Sequence, residues 1–420
     1  MKNKIQNSST HSHWAEKTNH TRLKHVILEN YLKEWAAILA GATHFNKLED
    51  IYYIDGFAGR GIFLNGDIGS PLIAAEKMLR VQKEHNEKYP NKPLRFHVIN
   101  IENEQTNYEM LEEIRMQSSR IVDVQNILGN FKEQSNFLLE NKRVQSSACF
   151  WFVDPFYGAR DFTFSDVLDL MFNNGKPRYR KEVLINFMTY NIVRFLDHEL
   201  ERPYILDFLG ASSVSEVLKE ATLEENTREQ AIINFYKKKL RENGLYVLTQ
   251  RIQCKDPKVK DADKVYFHMV HCSHNERALI EMRNAFVKVR EQKRTFEKQL
   301  EGDIIDFFDL GLLDYSEFEV SHQQLIRFIE GQFGFNNPMK LKILMTMLLQ
   351  EIDVSYDELK SKLHDLFEQD ILMVRNLDNV NRRKPFNTLH TSWSDIEVSL
   401  TTRIFRQAQN VGDQLTLFDY

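Results

Sequence analysis

Only three cysteines occur among the 420 residues, Cys149, Cys254 and Cys272, and no CxxC pair exists. The odd number and wide spacing exclude a disulfide framework and fit a reducing compartment, so the expected location is the cytoplasm. Glycine (16) and proline (9) are scarce, which excludes collagen-like, linker-rich and low-complexity chains. No apolar run of about 18 residues exists, so no membrane span is expected. The N-terminal MKNKIQNSSTHSHW lacks the apolar core of a signal peptide. Excess charge of one sign is also missing. The chain has 55 Lys+Arg against 60 Asp+Glu, a net charge of -5, which excludes binding through bulk charge. Walker A, GxSxG, HExxH and kinase signatures are absent, which removes P-loop, serine-hydrolase, zincin and kinase readings.

What is present is apolar content, 42% hydrophobic and 11% aromatic. That supports a large core in about two domains. Residues 1–13 read as a tail. Leu23, Val26, Ile27, Tyr31, Trp35, Ile38 and Leu39 recur at helical spacing. IYYID, 51–55, reads as a strand. GFAGRG follows, then a helix with Ser70 as N-cap and Pro71 at its first position. Further strands are expected at 96–101, 121–124, 149–153 and 183–187, with helices at 103–117, 132–142 and 165–173 between them. Such units imply an α/β fold, a Rossmann-like, doubly wound and mostly parallel sheet over 14–300. A helical insertion covers about 190–242, and strands at 246–253 and 265–272 suit an antiparallel pair. Residues 301–330 read as a helical connector and 403–420 as a tail. Between them, 331–402 runs helix, turn, helix, strand, basic loop, strand, the order of a winged-helix-like domain. Ser355 and Glu358 have capping-box spacing there.

Asp55, Gly56, Phe57, Ala58, Gly59, Arg60 and Gly61 follow the first strand, where open α/β sheets bind ligands. Glycines allow close backbone approach and positive φ. A tight structural turn is the plain alternative. The dinucleotide fingerprint needs GxGxxG and an acid about 20 residues on. This loop has GxG once, and the next acidic strand end is Glu102, too distant for that unit. S-adenosylmethionine suits the pattern better. Glu102 can accept two charge-assisted hydrogen bonds from its ribose, or instead cap the next helix. Asp55 or nearby backbone would face the amino-acid end.

Asp154, Pro155, Phe156 and Tyr157 end the strand CFWFV at the same sheet edge. The tetrapeptide resembles the [D/N]PP[Y/F] element of amino-methyltransferases, with Phe156 in place of the second proline. The resemblance implies that Asp154 and the Pro155 carbonyl orient an acceptor amine while an aromatic stacks on a base. A proline-bearing turn with a core aromatic is the structural alternative.

HWAEKTNHTRLKHVILENYLKEW, YIDGFAGRG, GSPLIAAE and FVDPF occur in this order. Together they resemble the three-Cys-motif partner (TcmP) family, itself similar to class I S-adenosylmethionine-dependent methyltransferases. The resemblance implies a cofactor loop at Asp55, Gly56, Phe57, Ala58, Gly59 and Gly61, a site motif at Asp154, Pro155 and Phe156, and a winged-helix-like C-terminus. It also implies a protein partner bearing a three-cysteine motif. Arg60 and Tyr157 stand where the family often has Pro and Gly. Two functions remain open. One is methyl transfer to an amino group of a nucleic acid. The other is a non-catalytic module, in defence against mobile DNA, that binds a partner, DNA or RNA. Arg382, Arg383 and Lys384 in the basic loop are the candidate phosphate contacts. His268, His271, Cys272 and His274 lack metal-ligand spacing and are expected to be solvated strand-end residues. KPRYRK, 176–181, reads as a solvated or partner-facing loop. No metal site is expected.

Overall fold

The computed structural model describes residues 19–42, 50–118, 123–155, 158–219, 227–253, 265–299, 321–334, 336–375 and 396–401. The chain divides into two compact units, Met1–Leu313 and Asp314–Tyr420.

The larger unit begins with α1 (Asn19–Ala42), then β1 (Asp50–Asp55), α2 (Ser70–Lys88), β2 (Arg95–Glu102), α3 (Gln105–Ser118) and β3 (Asp123–Leu128). It continues with α4 (Phe131–Glu140), α5 (Lys142–Ser146), β4 (Ala148–Val153), α6 (Phe164–Met171) and β5 (Lys181–Phe187). Four helices follow, α7 (Thr189–Phe195), α8 (Arg202–Leu209), α9 (Val214–Leu218) and α10 (Arg228–Glu242). β6 (Tyr246–Gln253), β7 (Val265–Ser273) and α11 (Glu276–Gln299) complete it. The strands form one seven-stranded sheet in the order β3-β2-β1-β4-β5-β7-β6. β1 to β5 pair in parallel, and β7 runs antiparallel to both neighbours. This is the doubly wound, mostly parallel α/β sheet expected from the sequence.

Burial explains the strand compositions. The central strands ACFWFV and KEVLINF are buried at every position because helices cover both faces. On one face α1 packs against α2 and α11. On the other, Ile54, Trp151, Val153, Val183, Ile185 and Val270 meet residues of α4, α6 and α10. Each such side chain contributes roughly 1.5–3 kcal/mol when fully buried.

Four expectations need correction. The third strand lies at 123–128, not 121–124. It is an edge strand with alternating exposure, so it lacks the apolar run that marks the others. Ser70 does not cap α2; Gly69 holds that position without a side-chain bond. The Ser70 hydroxyl is hydrogen-bonded to Asp55 instead. Lys181 is not a solvated loop residue but opens β5, fully buried. Its ammonium donates to the carbonyls of Val144 and Ser147 and lies 3.0 Å from Cys149 Sγ. Carbonyls at a helix end have no intrahelical partner, so they accept this cation. His268 and His271 are buried too, because β7 continues to Ser273 between two strands. His268 Nδ1 lies 2.7 Å from Thr189 Oγ1, and burial pulls its pKa down to about 3, so the ring is neutral. Cys149 and Cys272 are buried free thiols. Among the described residues no helix is long and apolar enough to cross a membrane. No group of three or more His, Cys, Asp or Glu among them is placed to hold a metal.

In the smaller unit, α12 (His322–Phe333), β8 (Met339–Lys340), α13 (Leu341–Glu351), α14 (Tyr356–Glu368), β9 (Leu372–Arg375) and β10 (Glu397–Leu400) follow in turn. The strands form an antiparallel sheet in the order β8-β10-β9. Ser321 and Gln324 form a reciprocal capping box on α12, and Ser355 accepts the Glu358 N–H on α14. Leu325, Leu344, Leu348, Leu359, Leu363, Leu372 and Val398 are buried in this unit.

Candidate functional site

Four adjacent strands end in polar residues at one sheet edge: Glu102 ends β2, Asp55 ends β1, Asp154 follows β4, and Asn186 lies next to the end of β5. The loop after β1 is sewn across this edge. Gly56 N–H donates to Phe152 O (2.8 Å), and Ala58 N–H donates to Ile101 O (3.0 Å). Gly69 N–H closes the loop on Gly61 O (2.6 Å). Two glycines are demanded by this path. A Cβ on Gly56 would stand 2.7 Å from two ring carbons of Phe131, and Gly59 has φ of 62°.

Asp55 lies beneath the loop, wholly inaccessible. Burial pushes its pKa up to about 7, although the Ser70 hydroxyl, the Phe57 N–H (3.3 Å) and the Tyr53 hydroxyl (3.2 Å) all stabilise the anion. Asp55 thus anchors the loop and the start of α2 rather than standing open to a ligand. Glu102 is 9% exposed. It accepts from Glu104 N–H (2.7 Å) and Gly59 N–H, so it braces the loop from the other side. Burial raises its pKa, and these donors together with Asn107 pull it part of the way back. A carboxylate has about four acceptor sites, so with three donors on it Glu102 keeps one for a ligand hydroxyl.

Asp154 is held by two groups that the sequence reading did not single out. Lys24 of α1 donates to Oδ2, and the Asn186 amide donates to Oδ1. Burial pushes the Asp154 carboxyl up, but the Lys24 ammonium, with Asn186 and His25, outweighs that effect and holds it below the ordinary range. Asp154 is therefore an anion that accepts hydrogen bonds and does not serve as an acid. Asn186 Oδ1 is buried with no hydrogen-bond partner among the described residues, which leaves an acceptor beside Asp154. Lys24 had a signal in the sequence. It stands at i, i+3, i+4, i+7 spacing with Ile27, Leu28 and Tyr31, so it occupies a core position of the stripe.

Asp55, Gly56, Phe57, Ala58, Gly59, Gly61, Glu102, Asp154 and Pro155 thus share one edge region. Phe57 stacks on Phe131 at 5.2 Å, so it packs under the loop. Phe156, Tyr157, Arg382, Arg383 and Lys384 lie outside the described residues.

No protein-family profile and no curated protein matches the chain. Solved structures align with it at low identity. The O-methyltransferase TomG from Streptomyces achromogenes, in complex with S-adenosylmethionine, aligns at 11% identity over 63% of this chain and 94% of its own, TM-score 0.27. A Podospora anserina methyltransferase bound to S-adenosylhomocysteine aligns at 12% identity over 59% and 87%, TM-score 0.27. Trm1 from Pyrococcus horikoshii, in complex with S-adenosyl-L-methionine, aligns at 10% identity over 94% of both chains, TM-score 0.30. The fold assignment rests on strand order and register. A parallel β3-β2-β1-β4-β5 sheet with an antiparallel strand inserted beside β5 is a class I methyltransferase-like Rossmann fold.

Proposed function

We propose that the larger unit binds S-adenosylmethionine at the carboxyl edge of the sheet and transfers its methyl group to an amine nitrogen. The observation that supports this most is the Asp55–Gly61 loop, sewn to β2 and β4 and braced by Asp55 and Glu102. The residues fit the cofactor. The bare backbone at Gly56 and Gly59 allows close approach, and Glu102 keeps an acceptor site for a ribose hydroxyl. When bound, S-adenosylmethionine supplies an electrophilic methyl on a sulfonium sulfur. Asp154, ionised and fixed by Lys24 and Asn186, accepts an N–H of the acceptor and directs its lone pair. Isothermal calorimetry tests the first step. The wild-type chain is expected to bind S-adenosylmethionine, and Gly59→Asp to weaken binding more than about 100-fold, since the side chain is strained at positive φ and brings charge beside Glu102. Equal affinity of the two proteins would sink the assignment.

The order helix, strand, helix, helix, strand, strand in the smaller unit supports a winged-helix-like reading. A non-catalytic module that binds the three-Cys-motif partner is the second reading, and one observation favours it. On α14, Lys360 pairs with Asp357 and Lys362 with Glu358. A helix whose cations are answered by its own acids offers little to phosphates. Nucleic-acid contact then falls to Arg382, Arg383 and Lys384. Arg382→Ala/Arg383→Ala is expected to abolish salt-dependent binding of DNA or RNA. Unchanged affinity and salt slope would leave the protein partner as the ligand of this unit.

A further inference from the structure

Asp154 already has an amine on it. Lys24 of α1 reaches this edge carboxylate from 130 positions away. Its side chain is 8% exposed and that of Asp154 22%, so the pair meets solvent on the carboxylate's side. The Lys24 nitrogen also lies 5.6 Å from the centre of the Phe267 ring, which confines it. Asn186 holds the second Asp154 oxygen, and its free Oδ1 adds an acceptor nearby. The other lysine–carboxylate pairs described in this unit are more exposed at the lysine, from 25% at Lys77 opposite Glu29 to 63% at Lys132 opposite Asp166. A nitrogen confined on a fixed carboxylate, one strand from the Gly loop, has the positional order that a reacting amine needs.

We propose that Lys24 is itself a methyl acceptor, so that the chain methylates its own N-terminal helix. The inference rests on the cofactor reading above. One N–H of Lys24 stays on Asp154 and holds the nitrogen in place. A second proton, not the one on the carboxylate, is lost to solvent, which frees a lone pair that points away from Asp154. That pair forms the N–C bond while the C–S bond of the sulfonium breaks and its electrons stay on sulfur. The products are N-methyl-Lys24 in its cationic form, S-adenosylhomocysteine and one proton.

Incubating the full chain with S-adenosylmethionine, followed by peptide mass spectrometry, tests this. The Lys24 peptide is expected to gain about 14 Da per methyl group. The gain is faster in alkaline than in neutral buffer, because an ammonium has no lone pair, and excess S-adenosylhomocysteine suppresses it. Lys24→Arg keeps a cation on Asp154 and shows no gain at that position. Asp154→Asn slows the gain at least about tenfold, because the nitrogen is no longer held. The proposal is overturned if a chain that binds the cofactor in calorimetry leaves the Lys24 peptide unmodified. Equal labelling of the exposed lysines would overturn it too. Failure to bind the cofactor at all removes the reading on which it rests, and calorimetry separates that outcome from the others.

Discussion

Glu182→Leu is expected to destabilise the larger unit by about 3–5 kcal/mol, because it leaves several buried donors without an acceptor. Glu182 opens toward α1 from the covered strand β5 and accepts from three buried donors. These are the Tyr31 hydroxyl, Trp35 Nε1 at 3.0 Å and His271 Nε2 at 3.1 Å. Tyr31 and His271 are wholly inaccessible and Trp35 is 4% exposed, so water cannot take the place of the carboxylate. Burial drives the Tyr31 pKa well up, and the adjacent Glu182 charge adds to the rise, so the phenol stays a donor. Leucine supplies no acceptor and strands all three groups, at roughly 1–3 kcal/mol each before relaxation. Glu182→Gln keeps one oxygen and the side-chain volume, and is expected to lose less than half as much. Urea unfolding followed by tryptophan fluorescence measures both, with Trp35 as a reporter at the lesion. A loss below about 1 kcal/mol for Glu182→Leu would mean that α1 is not held by this cluster. Because α1 carries Lys24, such a change also loosens the group that orients Asp154.

The same cluster shows where sequence reading stops. IYYID, CFWFV and the pair at 246–253 and 265–273 are legible because β-branched and aromatic runs mark covered strands. The Gly loop is legible because it follows such a strand, and its backbone path needs residues without side chains. Asp154 is legible as a carboxylate at the end of an apolar strand. Its partners are not: Lys24 lies 130 residues before it and Asn186 32 residues after it. Glu182 meets Tyr31 across 151 residues and His271 across 89. A charged residue inside a strand reads as solvated until the group that answers it is known, so Lys181, His268 and His271 all read as surface residues. The register of β3 is hidden for the opposite reason. DVQNIL is an edge strand, and its polar alternation is weaker than the Ile121-Val122 pair just before it.

Asp55 gives the second large effect, and here pH is the variable. Its folded pKa of about 7 lies above the unfolded value near 3.9, because burial outweighs the Ser70, Phe57 and Tyr53 donors and the Asp154 charge adds to the rise. Between roughly pH 4 and pH 7 the folded chain therefore holds a proton at Asp55 that the unfolded chain has lost. The unfolded state binds fewer protons, so stability falls as pH rises through that window and levels off above the folded pKa. About three pH units at ~1.4 kcal/mol each put the effect of this one group on the order of 4 kcal/mol. Asp154 acts in the opposite sense. Its folded pKa is depressed, so its contribution is lost only as the pH falls below the unfolded carboxylate range. The two windows do not overlap. Asp55→Asn removes the charge, keeps an acceptor for the Phe57 N–H, and is expected to flatten the slope between about pH 5 and pH 8. It should thus exceed the wild type in stability by about 1–2 kcal/mol near pH 5 and by about 4 kcal/mol near pH 8. Urea titrations of both proteins across that range read the difference directly. Parallel stability curves would show that Asp55 is already ionised in the folded chain near pH 5. In that case the loop would hang from a carboxylate fully charged at neutral pH, and the Ser70 and Tyr53 hydroxyls, not burial, would set its state.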